Sequence, residues 1–273
     1  MVFHPHTGAL IYNAPMCRTP LAPLSIGCTR TLPGALIAVL ISTLLVALML
    51  PTALRADTPL RVAVAANFRV AAERLGTTFT EKTGTQVLIS SASTGVLAAQ
   101  LRGGAPFDLL LAADRKRPDA LAAGGFTLGP ARCYTEGTLV LLGASSLEAA
   151  LANSQLSIAI ANPRSAPYGI AARAVLARAG FAGPDQRRVV MGSNVRQAFQ
   201  FFQSGAADLA MVARSLSPQA GIPIPPEWHP PITQYAIIGK NSPQAQRSED
   251  FLAYIASEPA QDFLVSLGYG ACP

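Results

Sequence analysis

At 273 residues, half of them apolar and 13% charged, with a net charge of +6, the chain is mildly basic. Its basic residues are scattered and no aromatic-interleaved basic stripe is present, which argues against a nucleic-acid partner. Beyond residue 56 a single histidine remains, His229 in the loop Glu227-Trp228-His229-Pro230, and no paired ligand spacing points to a bound metal cation.

Residues 1–56 hold no acidic side chain. Arg30 precedes a weakly polar to apolar run over 34–50, and the small-residue stretch Pro51-Thr52-Ala53-Leu54-Arg55-Ala56 follows, the order of a cleavable secretory signal. Leu54, three residues before a cut after Ala56, and the long leader ahead of Arg30 are unfavoured features; a translation start at Met16 would shorten that leader. The alternative is an uncleaved anchor, since the run approaches the roughly 20 apolar residues that span a bilayer. Later apolar runs are short and broken by Gly, Pro and charge. Cleavage removes Arg18, Arg30 and Arg55, lowering the charge from +6 to +3 and leaving 217 residues, one large or two modest domains. Cys133 and Cys272 survive; they either pair, as an oxidising compartment allows, or remain two buried thiols.

The remainder opens on a strand over 60–65 and a helix over 68–81, whose Phe68, Ala71, Ala72, Leu75 and Phe79 recur at helical spacing. A strand over 86–90, a helix over 95–102, a strand over 108–112 and a short helix over 118–123 follow. Repeated βα units imply a parallel sheet covered on both faces. Residues 133–143 read as one long strand. A second series places strands at 157–161, 189–191 and 208–212 and helices at 170–179 and 195–204. Five prolines between 223 and 231 mark a surface loop, before a strand over 233–238 and helices over 242–257 and 259–267. The expected architecture is α/β: a leader at 1–56, one lobe from 57–137 plus 236–273, and a second from 138–235. Ligands of such sheets bind beyond the carboxyl ends of the strands, here the cleft between lobes.

Four junctions in this pattern pass from strand to helix through small or hydroxyl-bearing residues: Ala65-Ala66-Asn67-Phe68, Ser91-Ala92-Ser93-Thr94-Gly95, Ala166-Pro167-Tyr168-Gly169 and Gly192-Ser193-Asn194-Val195. Brought together, their main-chain N–H groups and positive dipole ends form a cage for an oxyanion without any charged side chain.

The segments LRVAVAANF at 60–68, ISSASTGVLAAQL at 89–101, GAPFDLLLAAD at 104–114, ANPRSAPYG at 161–169 and GAADL at 205–209 resemble, in order, the periplasmic molybdate-binding proteins of bacterial ABC importers. The resemblance implies a type II periplasmic binding protein fold (a Venus flytrap), two doubly wound lobes joined by two hinge strands. It further implies a periplasmic monomer without cofactor that holds molybdate or tungstate through neutral donors and hands it to a membrane permease. By position it assigns Ala66 and Asn67 to the first binding turn, the Thr94 hydroxyl to a binding serine's place, and main-chain N–H groups of Tyr168 and Val195 to the second lobe's share. Ala213 stands where many relatives carry a binding tyrosine, so Asn67 is expected to supply the replacement donor, as in the asparagine-bearing subgroup.

Plainer roles exist for the same residues. Ser93, Thr94 and Asn67 can be N-caps, Tyr168 a packing residue, and Asp108 and Asp114 structural pairing groups too far apart in sequence to share a proton. The run Arg115-Lys116-Arg117 reads as a solvated approach to a helix. A sulfate receptor on the same fold is the alternative among binding proteins. An enzyme using Ser93 or Thr94 as nucleophile lacks a base in these motifs, and no nucleophile elbow is present. A sensor domain would need a signalling segment, and none is attached.

Overall fold

The structure is a computed structural model that describes residues 58–273; the expected leader lies outside the described residues. Two five-stranded mixed sheets form its frame. In the first the strand order is β2 (Val87–Ala92), β1 (Leu60–Ala65), β3 (Leu109–Ala112), β10 (Ile232–Gly239), β4 (Thr127–Gly137). In the second it is β7 (Val189–Gly192), β6 (Ile158–Ala161), β8 (Leu209–Ala213), β5 (Leu139–Leu142), β9 (Ile222–Pro223). Each sheet has three parallel strands with the first of them central, followed by an antiparallel neighbour. The helices are α1 (Arg69–Thr83), α2 (Thr94–Arg102), α3 (Lys116–Ala123), α4 (Leu147–Ala152), α5 (Pro167–Leu176), α6 (Val195–Gln203), α7 (Ala245–Ile255) and α8 (Glu258–Ser266).

Alternation along the strands builds two cores on the first sheet. Leu60, Val62, Val64, Leu109 and Leu111 face Phe68, Leu75, Phe79, Phe251 and Ile255, whereas Ala63, Leu110 and Ala112 face Leu97, Leu101 and Leu121. A strand buried on both sides has to be apolar throughout, as β1 and β3 are. The second sheet is enclosed in one larger cluster that includes Leu139, Leu141, Ile158, Val175, Met211 and Val212.

The stretch expected as one strand over 133–143 is two, β4 and β5, belonging to different sheets. Thr138 is the crossing point: its carbonyl accepts from Arg214 N–H at 2.9 Å and its hydroxyl donates to Gly268 O at 3.2 Å. Apolar patterning continues through the crossing because both ends are buried, so periodicity alone does not reveal it. The second crossing runs from β9 to β10, which pairs with Gly137 of β4 from Ile232 onward. The described cysteines form a disulfide between β4 and the C-terminal tail, Cys133 to Cys272, with Cα atoms 6.0 Å apart. Helix α4 and strand β9 went unrecognised in the sequence, and α5 begins three residues earlier than expected, at Pro167, where proline's fixed φ and missing N–H suit a first helical position.

Candidate functional site

A small cavity lies between the lobes, with about 200 Å³ of empty space including its mouth. The cavity is far smaller than the roughly 300–1,000 Å³ of pockets for drug-sized ligands. Ala65, Ala66, Asn67, Ser93, Thr94 and Ala113 line it from the first lobe, and Ala166, Pro167, Tyr168, Asn194 and Val195 from the second. All five residues singled out in the sequence for ligand contact are therefore brought together, and all four junctions converge. No lining residue carries a charge. A larger depression of about 970 Å³ opens elsewhere, at the amino-terminal end of the first sheet beside Arg61, Phe107 and Lys240. None of the four junctions reaches it.

At each of the four junctions at least one main-chain N–H at the cavity is left without a protein acceptor. After β1, Ala66 N–H goes to Ala92 O and Phe68 N–H to Ala65 O, which leaves Asn67. At the start of α2, Ser93 O accepts from Val96 and Leu97 while Gly95 N–H donates to Ser165 O, leaving the N–H groups of Ser93 and Thr94. Ahead of α5, Ala166 O accepts from Gly169 and Ile170, leaving Tyr168. At α6, the Asn194 side chain accepts from Arg196 and Gln197 N–H at 3.0 and 3.1 Å, leaving the N–H groups of Asn194 and Val195. Among the described residues no protein acceptor takes the N–H of Asn67, Thr94, Tyr168 or Val195. Asn194 is thus a helix cap that directs its neighbour's amide, a role the sequence reading did not assign.

The side chains divide differently from expectation. Asn67 is 2% exposed, and its amide nitrogen donates to Gln234 Oε1 at 3.0 Å and lies 3.4 Å from the Tyr269 hydroxyl. Both amide protons thereby have acceptors, so what Asn67 leaves to the cavity is its main-chain N–H. Gln234 Oε1 also accepts from Tyr134 at 2.9 Å, and Asn67 O accepts from Tyr269 and, across the cleft, from Ser215. Ala66 contributes a methyl wall with its N–H already engaged. Thr94 Oγ1 accepts from Ala113 N–H at 3.0 Å and retains its own proton to donate. Ala213 is fully buried at the end of β8 and forms part of the second lobe's core.

Burial pushes the Tyr134 and Tyr168 hydroxyls well above the usual phenol range, and that of Tyr269 upward as well despite its hydrogen bonds to Ser215 and Asn67. All three stay neutral under any physiological condition. Asp108 and Asp114 are structural: Asp108 accepts from Arg61 N–H and Ser242, and Asp114 pairs with Arg117. Arg117 is not simply solvated, because it also donates to Arg164 O of the other lobe at 3.1 Å. With Gly95 N–H on Ser165 O at 2.8 Å, this clasps the lobes together above the cavity. Among the described residues no group of three or more His, Cys, Asp or Glu is placed to hold a metal ion.

Two α/β lobes, crossed twice by the chain and shut over a small neutral cavity rimmed by helix amino termini, define a bilobal receptor for a small anionic solute. Residues 60–270 match the family described as bacterial extracellular solute-binding protein, and the chain belongs to that family. It is 36% identical over 227 residues to the molybdate-binding protein ModA of Azotobacter vinelandii, covering 77% of this chain and 89% of that one. To the ModA of Rhodobacter capsulatus it is 32% identical over 217 residues, covering 76% and 86%. The solved periplasmic molybdate-binding protein of Azotobacter vinelandii superposes with a TM-score of 0.73 at 34% identity, over 78% of this chain and 100% of that one.

Proposed function

We propose that this protein is the substrate-binding component of a bacterial ABC importer and captures molybdate in the interlobe cavity. The observation that carries the reading is the set of main-chain N–H groups, from both lobes, left without protein acceptors around a cavity that has no charged side chain. Molybdate is fully ionised at neutral pH and accepts hydrogen bonds at every oxygen, so a cage of neutral donors matches it. Hydrogen phosphate brings a proton that needs an acceptor, and burying that proton unpaired costs about 1–3 kcal/mol. Tungstate has the same charge and shape and is expected to bind as well. The protein is a receptor rather than an enzyme: its relatives are binding proteins, and no residue lining the cavity is an acid or base.

The reading extends to a secretory leader over 1–56, a periplasmic location, a monomeric receptor and a membrane permease as partner. It divides the chain into a first lobe of 57–137 plus 236–273 and a second lobe of 138–235. Ligand contacts fall to Asn67, Thr94, Tyr168 and Val195, with Ala66 as wall. Calorimetric titration of the purified protein with molybdate, repeated in excess sulfate and phosphate, tests it. One-to-one binding that survives both competitors is the expected result; saturation by sulfate with no heat from molybdate would overturn the assignment of the ligand.

A further inference from the structure

We infer that the Ser93 hydroxyl is an additional donor to the bound anion and a determinant of affinity in its own right. The inference rests on the cavity being an oxyanion site. Ser93 stands at the N-cap of α2, where a serine normally accepts from an amide of the first turn. Here its side chain makes no such bond, because its carbonyl rather than its hydroxyl takes the Val96 and Leu97 amides. The residue is 4% exposed, it lines the cavity, and its Oγ is buried with no partner among the described residues. A buried hydroxyl without a partner is disfavoured unless a ligand satisfies it.

The neighbouring Thr94 shows the contrast. Its Oγ1 is engaged by Ala113 N–H, which fixes its rotamer and makes it partly structural. Ser93 has no such tie, so its hydroxyl can turn wholly to the ligand. The two adjacent hydroxyls sit on the first lobe, next to the Thr94 amide. Together they make the α2 terminus the densest donor group at the cavity.

The test compares Ser93→Ala with wild type in two measurements, molybdate titration and thermal unfolding without anion. Loss of one hydrogen bond to a charged ligand weakens binding by about 10- to 150-fold. The anion-free unfolding midpoint stays at the wild-type value, because no cap bond is lost. Ser93→Thr, which keeps the hydroxyl, is expected to recover most of the affinity. Wild-type affinity in Ser93→Ala would overturn the inference while leaving the receptor assignment standing. So would a lowered anion-free midpoint with unchanged affinity, the mark of a merely structural serine. A wild-type protein that binds no oxyanion would remove the assignment and the inference together.

Discussion

Gly95→Ala is expected to separate folding from closure. Gly95 is the second residue of α2, and its φ is not in the left-handed region, so alanine suits the backbone. In the helix alanine is favoured over glycine by up to about 1 kcal/mol. A Cβ at this position, however, would lie 2.9 Å from Ser165 O, 3.0 Å from Ser165 Cα and 3.1 Å from Arg117 Nε. The first two atoms belong to the other lobe's main chain and cannot rotate away. Relief to an ordinary contact requires the lobes to part locally by about 0.5 Å, which stretches the 2.8 Å Gly95–Ser165 bond to the limit of hydrogen-bonding geometry. The Thr94 and Tyr168 amides flank this contact on opposite lobes, so their grip on one anion loosens with it. The combined loss is about 1.5–3 kcal/mol, a 10- to 150-fold weaker dissociation constant carried mainly by faster release. Calorimetry and stopped-flow release measure the affinity and the rate, and thermal unfolding without anion is expected to show a midpoint equal to wild type or a few degrees higher. Wild-type affinity in the variant would refute the idea that binding needs this approach of the two lobes.

Three further outcomes are open to measurement. Removing the Cys133–Cys272 bridge, which closes a separation of 139 residues, releases unfolded-state entropy worth about 5 kcal/mol; a Cys133→Ser/Cys272→Ser variant should unfold about 10–20 °C lower, and an unchanged midpoint would refute this. Asn67→Asp replaces an amide that donates to Gln234 with a carboxylate beside a dianion site, so molybdate affinity should fall more than 100-fold, and retention within tenfold would count against the anion's position. Burial raises Tyr134, Tyr168 and Tyr269 above their unfolded value near 10. Their contribution to stability is therefore complete below pH 10 and lost above it, by about 1.4 kcal/mol per pH unit for each tyrosine. Denaturant titrations from pH 8 to 12 should show a plateau and then a steep decline, and phenolate absorbance from these three only on unfolding.

The four junctions were legible in local sequence, whereas the individual residues assigned within them came from the resemblance to the molybdate-binding family. A strand that reopens as a helix leaves orphan amides wherever it occurs, so the junctions mark the region of the site without singling out one residue in each. What sequence concealed was long-range. The division of β4 from β5 at Thr138 depends on which sheet each half joins, not on any change in pattern. The occupation of the Asn67 amide depends on Gln234, 167 positions away, and on Tyr269, 202 positions away. An asparagine in a cleft reads as a donor to ligand until the residues across from it are known. Arg117 likewise reads as solvated in a basic run and becomes a bridge only when Arg164 is brought opposite.

The choice of main-chain donors has a consequence for release. A site built on lysine or arginine would retain its attraction for a dianion with the lobes apart, since a unit charge acts over several ångströms. N–H donors act only within hydrogen-bond distance, and here they come from both lobes. Opening separates the two lobes' donors at once and breaks the Gly95–Ser165, Arg117–Arg164 and Ser215–Asn67 bonds that span the cleft. Holding and letting go are then set by one coordinate, the separation of the lobes. Neutral helix termini let a closed receptor bind a dianion tightly and an opened one give it up, with no change in protonation at the site.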